Sequence, residues 1–84
     1  MNILQIVRHY ILENFLFTDD EAALQDGDSF LEAGIIDSTG VLEIILFIEE
    51  TFGIKVKDEE MLPENLDSID NLVAFVQRKQ AVAA

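Results

Sequence analysis

The sequence predicts an all-α fold, a four-helix bundle with three longer helices and one short third helix. Three observations support this prediction. Apolar residues recur every three or four positions in three separate segments, which is the spacing of one helix face. Capping residues such as Asp, Ser and Gly stand where these segments begin and end. The one short alternating stretch, residues 54–57, has no second strand with which to pair.

The chain has 84 residues, which predicts a single domain over residues 1–84 with an ordered core at about 2–79 and frayed ends. Half of the residues are hydrophobic, so a core can form and disorder is not expected. A domain of this size has little room for a buried active site. The absence of cysteine excludes disulfides, thiolate metal sites and a cysteine nucleophile.

The first helix is predicted at residues 2–16. A polar loop follows, in which Thr18 and Glu21 have the spacing of a capping box, a pair that also arises by chance. Phe30 and Leu31 form a short apolar anchor, and Gly34 ends the turn after them because glycine adopts the left-handed conformation at little cost. The helical spacing of the first segment rests on Ile3, Leu4, Val7, Tyr10 and Ile11.

The second helix is predicted to begin at Ser38, with Asp37 as its N-cap, and to run to about Phe52. Gly53 stops it. The following stretch, residues 54–57, is predicted to be an extended loop with Ile54 and Val56 buried.

The acidic run of residues 58–60 favours the start of a short third helix, which Pro63 should end. Asp67 or Ser68 then caps the last helix. The predicted core positions of that helix are Ile69, Leu72, Val73, Phe75 and Val76.

The second helix has two different faces. At about 100° per residue, one side collects a core stripe, and the other side collects acids and two leucines. Leucines framed by acids are typical of a docking surface, although another element of the bundle could equally cover them. Gly40, near the first turn, permits the close approach of a loop or ligand. The core stripe is Val41, Ile44, Ile45, Ile48 and Phe52; the other side carries Ser38, Thr39, Leu42, Glu43, Leu46, Glu49 and Glu50.

The chain is strongly acidic, with 17 acidic and 5 basic residues and a formal net charge of −12. We therefore expect that the chain does not bind nucleic acid and that its protein partners have basic surfaces. The acids also simply keep a small apolar domain soluble. No apolar run approaches the roughly 20 residues that a membrane span needs. The N-terminus lacks the features of a signal peptide, so we expect a cytoplasmic protein.

Few residues are suited to chemistry. His9 is the single histidine and falls on the polar side of the first helix. The acidic runs at residues 19–21 and 58–60 lack the ligand spacing of a calcium loop, so we expect no metal site and no enzyme activity. Ser38 remains, because a negatively charged group attached to it would be stabilised by the N-terminus of a helix.

The segment from Phe30 to Ser38, FLEAGIIDS, followed by Thr39, Val41, Glu43 and Ile44, resembles the Gly-x-x-Asp-Ser attachment motif of the acyl carrier and peptidyl carrier protein family. Residues 49–54 resemble the end of that family's recognition helix, and residues 67–72 resemble the start of its last helix. The resemblance thus covers nearly the whole chain.

The resemblance implies that a phosphopantetheinyl transferase attaches 4'-phosphopantetheine from coenzyme A to Ser38, with Asp37 as the acidic neighbour. The arm would carry thioesters of acyl or aminoacyl groups for lipid or specialised-metabolite biosynthesis. Further partners would be an acyl or aminoacyl ligase and downstream transferases, and the chain would be a monomer. By position, the resemblance assigns docking to Thr39, Leu42, Glu43, Leu46, Glu49 and Glu50, and an acyl pocket to Val41, Ile45 and Ile48.

Some residues depart from the pattern of carriers in fatty-acid synthesis. Thr39 stands where a leucine is usual, and Gly40 where an acid is common. The form Gly34-Ile35-Ile36-Asp37-Ser38 is closer to stand-alone carriers such as D-alanyl and other aminoacyl carriers. Phe47 is expected to restrict the pocket and to favour short or polar cargo. The alternative function is an acidic helical adaptor without a prosthetic group, in which Ser38 is only a helix cap.

Overall fold

The computed structural model describes residues 2–83 and, within them, contains only helices, turns and loops, so the predicted all-α fold is confirmed. Helix α1 spans Ile3–Ile11 and continues into a π-helical turn, Leu12–Leu16. A 3₁₀ turn, Glu21–Ala23, interrupts the long loop before α2, Ser38–Phe52. A second 3₁₀ turn, Asp58–Glu60, precedes the short α3, Pro63–Leu66, and α4, Ile69–Ala83.

Local capping explains where most of these helices begin. The Asn2 side chain accepts a hydrogen bond from the Gln5 N–H at 2.8 Å and starts α1. Ser68 does the same for α4, since its Oγ accepts from the Asn71 N–H at 3.0 Å. In the long loop the cap of the 3₁₀ turn is Asp20 rather than the predicted Thr18.

The predicted short third helix is present, but its predicted position is wrong. The acidic residues at 58–60 form only a 3₁₀ turn, and α3 begins at Pro63 instead of ending there. Proline lacks an N–H and has a fixed φ, which suits the first position of a helix, where the N–H has no intrahelical acceptor. The proline therefore marks the start of a helix and not its end.

Helix α4 extends to Ala83, beyond the predicted end of the ordered core at about residue 79. This end of the chain is rich in alanine and contains no glycine or proline, so its helix propensity is high. The predicted fraying of Ala84, and of Met1 at the other end, falls outside the described residues.

The core lies around α4, which contacts α1, α2 and α3. Three of its side chains, Ile69, Leu72 and Val76, are completely buried, and Ile54 of the predicted extended loop is buried as well, whereas Val56 is half-buried. The long loop is held against α1 by Arg8. The Arg8 guanidinium donates to the carbonyl oxygens of Glu21 and Leu24 and pairs with Asp26. These contacts fix the position of the loop that leads to α2.

Candidate attachment site at the start of α2

Ser38 is the first residue of α2 and is exposed. The preceding Asp37 has extended backbone angles, and its Oδ1 accepts a hydrogen bond from the Gly40 N–H at 2.8 Å. The cap therefore uses one of the free N–H groups of the first turn. Among the described residues, the N–H groups of Ser38 and Thr39 have no acceptor. The Ser38 hydroxyl thus lies at a helix N-terminus that is open to an incoming anionic group.

The loop before Ser38 is tied to the junction between α3 and α4 through Asp67. The Asp67 carboxylate accepts hydrogen bonds from the Ser29 hydroxyl and from the Leu31 N–H, and its backbone oxygen accepts from the Phe30 N–H at 2.8 Å. Phe30 itself is fully buried, and Gly34 has a φ of +68° that favours glycine at this turn. Ser38 is consequently positioned by the junction between α3 and α4.

Gly40 allows the loop and the π-helical turn to approach the first turn of α2 closely. A Cβ atom at this position would lie 2.8 Å from Ile36 Cγ2 and 3.0 Å from Phe15 Cε1, which is closer than van der Waals contact allows. The close approach by a loop, which the sequence indicated as one alternative for Gly40, is therefore what the structure contains. It also brings Ile36 against Gly40, two residues after Ser38.

A small apolar cavity opens beside the first turn of α2. It has a volume of about 130 Å³ and lies between the loop around Phe30 and the segment that contains α3. The mouth is flanked by Leu31 and Leu62, which are 51% and 42% exposed. Its walls are formed by Phe30, Leu31, Ile36, Val41, Met61, Leu62, Pro63, Leu66 and Asp67.

Only one of the three residues expected to line an acyl pocket lines this cavity. Val41 lines the cavity, whereas Ile45 and Ile48 are buried in the core and do not line it. Phe47 does not line it either, so it does not restrict this cavity. Its ring stacks on Tyr10 of α1 with 3.8 Å between centroids, because position 47 faces α1 rather than α3.

The outer face of α2 is uncovered by the rest of the described chain. Leu42 and Leu46 are 57% and 58% exposed, and no other element among the described residues packs over them. Thr39, Glu43 and Glu50 are exposed as well. We call Thr39, Leu42, Glu43, Leu46 and Glu50 the outer face. Glu49 differs from these residues, since it is half-buried and its Oε2 accepts a hydrogen bond from the Val56 N–H at 2.9 Å.

Two titratable groups near these features have altered pKa values. Burial, and to a smaller extent the Glu43 carboxylate, raises the pKa of Tyr10 above its ordinary 10.0. The Lys79 ammonium, which donates to Glu60 Oε1 at 2.9 Å, holds the pKa of the Glu60 carboxyl below its ordinary 4.5. The second pair ties the segment that forms one cavity wall to α4.

Sequence reasoning missed the cavity wall of residues 61–67. The one available signal was the apolar pair Met61 and Leu62 before Pro63, which looks like ordinary core material. His9 lies on the surface as predicted and pairs with Glu13 at 3.1 Å. Among the described residues, no cluster of His, Asp and Glu side chains is arranged to hold a metal ion. None of the described helices is long and apolar enough to cross a membrane.

The chain matches a known protein family over most of its length. The family model described as phosphopantetheine attachment site covers residues 12–76. The chain therefore belongs to this family and is a non-catalytic carrier protein whose prosthetic group is covalently bound phosphopantetheine. Membership of this family supports the carrier function over the alternative of an adaptor without a prosthetic group.

Individual relatives agree with the family. The chain is 33% identical over 76 residues to the D-alanyl carrier proteins of Streptococcus pyogenes serotypes M5 (strain Manfredo) and M49 (strain NZ131), a match that covers 88% of this chain and 95% of each relative. It is also similar to the solution structure of the holo acyl carrier protein from Nitrosomonas europaea. That match has a TM-score of 0.74 and 28% identity, and it covers 96% of this chain and 99% of that one.

The residues at the start of α2 fit the group that the family carries. An exposed hydroxyl is available at Ser38, and the two N–H groups at positions 38 and 39 without acceptors can donate to phosphate oxygens. Asp37 is engaged as the cap through one oxygen, which turns that part of its charge towards the helix. When bound, phosphopantetheine supplies the thiol that a chain without cysteine lacks.

Proposed function

We propose that Ser38 is the attachment residue and that the chain carries small acyl or aminoacyl groups as thioesters on its arm. The observation that supports this most directly is the exposed Ser38 hydroxyl at the open N-terminus of α2. A phosphopantetheinyl transferase would break the pyrophosphate bond of coenzyme A and join phosphopantetheine to the Ser38 oxygen as a phosphodiester, with release of adenosine 3',5'-bisphosphate and the hydroxyl proton. The other hydroxyl of the first turn, Thr39, is secondary and does not follow a capping aspartate.

The test is an intact-mass measurement after incubation with coenzyme A and a promiscuous phosphopantetheinyl transferase. We expect the wild type to gain the mass of one phosphopantetheine group and Ser38→Ala to gain none. Thr51→Ala removes an exposed hydroxyl at the other end of the same helix and should be modified like the wild type. Modification of Ser38→Ala would overturn the assignment.

The size of the cavity supports a small cargo. An apolar cavity of about 150 Å³ accommodates a molecule as large as benzene, and the cavity beside Ser38 has about 130 Å³. It therefore has room for about six carbon atoms rather than for a long fatty acyl chain. The similarity to D-alanyl carrier proteins favours an aminoacyl group within this size range. The intact mass of the protein isolated from its native host tests this, and a long-chain acyl group would contradict it.

The outer face is the proposed docking surface for partner enzymes. Exposed leucines supply apolar contact area, and the surrounding carboxylates steer a basic partner. The net charge of −12 makes such partners the natural complement. Expected partners are the transferase, a ligase that loads the arm and enzymes that unload it. The assignment of Glu49 to docking is weaker than that of the other residues, because its carboxylate already accepts a hydrogen bond from the Val56 N–H.

A further inference from the structure

A second recess lies next to Ser38 and is distinct from the cavity beside α3. It is an open groove of about 400 Å³ between the end of the π-helical turn and the loop that leads into α2. The two recesses have only Ile36 in common. We call the second recess the Phe17 groove. It is lined by Asn14, Phe15, Phe17, Ile35, Ile36 and Asp37, together with the backbone of Gly34.

Phe17 is an unusual residue for the place it occupies. It ends the π-helical turn in the left-handed conformation, with a φ of 55°, and its N–H donates to the Leu12 carbonyl oxygen. This position is usually taken by glycine or asparagine, and a bulky side chain there costs on the order of 1 kcal/mol or more. The ring is 83% exposed, so core packing does not offset this cost. A ligand that contacts the ring would account for phenylalanine at this position.

The groove has the size and the polar groups of a small-molecule site. Such sites have volumes of roughly 300–1,000 Å³ and combine apolar walls with a few polar groups. The side-chain nitrogen of Asn14 donates to the Tyr10 carbonyl oxygen at 2.9 Å, and its Oδ1 accepts no hydrogen bond from the described residues. A Cβ atom added at Gly34 would meet nothing within 4 Å, so the groove is open on that side.

The attachment point determines which occupant reaches the groove most readily. Asp37 lines the groove and is bonded to Ser38. A group tethered to Ser38 is therefore present at the groove at a high effective concentration, which compensates for weak contacts. The pantetheine part of the arm carries a geminal dimethyl group and two amides, and the groove offers apolar walls and an amide oxygen.

We propose that the Phe17 groove binds the pantetheine part of the prosthetic arm, with the dimethyl group against the ring of Phe17 and an arm amide donating to Asn14 Oδ1. This proposal rests on the attachment to Ser38 proposed above. It assigns the arm a resting place on the α1 side of the attachment point, whereas the cavity beside α3 remains free for cargo.

The test is nuclear magnetic resonance of the holo protein with an isotope-labelled arm. We expect the two methyl resonances of the arm to shift upfield from their positions in free pantetheine, because they lie over an aromatic ring, and to show nuclear Overhauser contacts to Phe17. Phe17→Gly should abolish both effects. This variant removes the ring and relieves the left-handed strain, so it should fold.

Val82→Ala is the matched control, because Val82 is an apolar residue with 85% exposure near the end of α4. It should leave the methyl resonances where they are in the wild type. Methyl resonances at their free positions in a fully modified wild type, or contacts to Val41 and Met61 instead, would overturn the proposal. Absence of the mass gain would count against the attachment at Ser38, so the two failures are distinguishable.

Discussion

The two faces of α2 carry aliphatic residues of the same kind with opposite roles. Ile44, Ile45 and Ile48 are at most 5% exposed and belong to the core, whereas Leu42 and Leu46 are more than half exposed. The inner residues stabilise the fold, because their burial removes apolar area from water. The outer residues contribute little to folding and remain available to a partner. One helix thus contributes to the core and also carries the proposed attachment site and the proposed docking surface.

The largest effect is expected from the inner face. Ile48→Ala should lower the free energy of unfolding by about 2–5 kcal/mol, because it leaves a cavity at a completely buried position. Urea denaturation followed by circular dichroism measures this loss. A loss below about 1 kcal/mol would mean that the core collapses around the missing atoms and that the inner face is less rigid than its packing indicates.

An intermediate effect is expected at Gly40, where α2 meets the loop that precedes Ser38. Gly40→Ala gains about 1 kcal/mol of helix propensity but loses about 1–3 kcal/mol by crowding Ile36 and Phe15. We expect a net destabilisation of about 1 kcal/mol in urea denaturation and slower modification of Ser38, because Ile36 must move.

The control for this variant is Thr51→Ala, an exposed position of the same helix. It should raise stability slightly through helix propensity alone. If Gly40→Ala were stabilised to the same extent, the close approach of the loop would have no energetic consequence.

The smallest effect on stability is expected from the outer face. Leu46→Ala should change the free energy of unfolding by less than about 0.5 kcal/mol, since the side chain is exposed. Its effect should appear in docking instead, as a rise of about tenfold in the transferase KM for this protein, which corresponds to the loss of one good apolar contact.

In the same assay Val82→Ala should leave the KM unchanged. The KM of the wild type should rise with salt, because salt screens the steering by carboxylates. A Leu46→Ala variant that is destabilised as much as Ile48→Ala would show that the two faces are not distinct.

The sequence predictions are accurate for elements formed by interactions between residues close in sequence and less accurate for elements that depend on packing between distant segments. The bounds of α2 agree with prediction because Asp37 and Gly53 act within a few residues of the ends they define. The third helix was misplaced because acidic residues and a proline each have two local interpretations, and packing against α4 selects one of them. Phe17 gave no signal at all, since nothing in its neighbours indicates a left-handed conformation.

The sequence by itself determined the all-α class, the two faces of α2 and the place of Ser38 at a helix start, because helical periodicity and capping are local properties. The tertiary structure decided what the other side chains of α2 contact. Val41 lines the cavity while Ile45 and Ile48 do not, Phe47 stacks on Tyr10, and Glu49 is held by Val56. These outcomes depend on contacts between segments far apart in the chain, which no local pattern specifies.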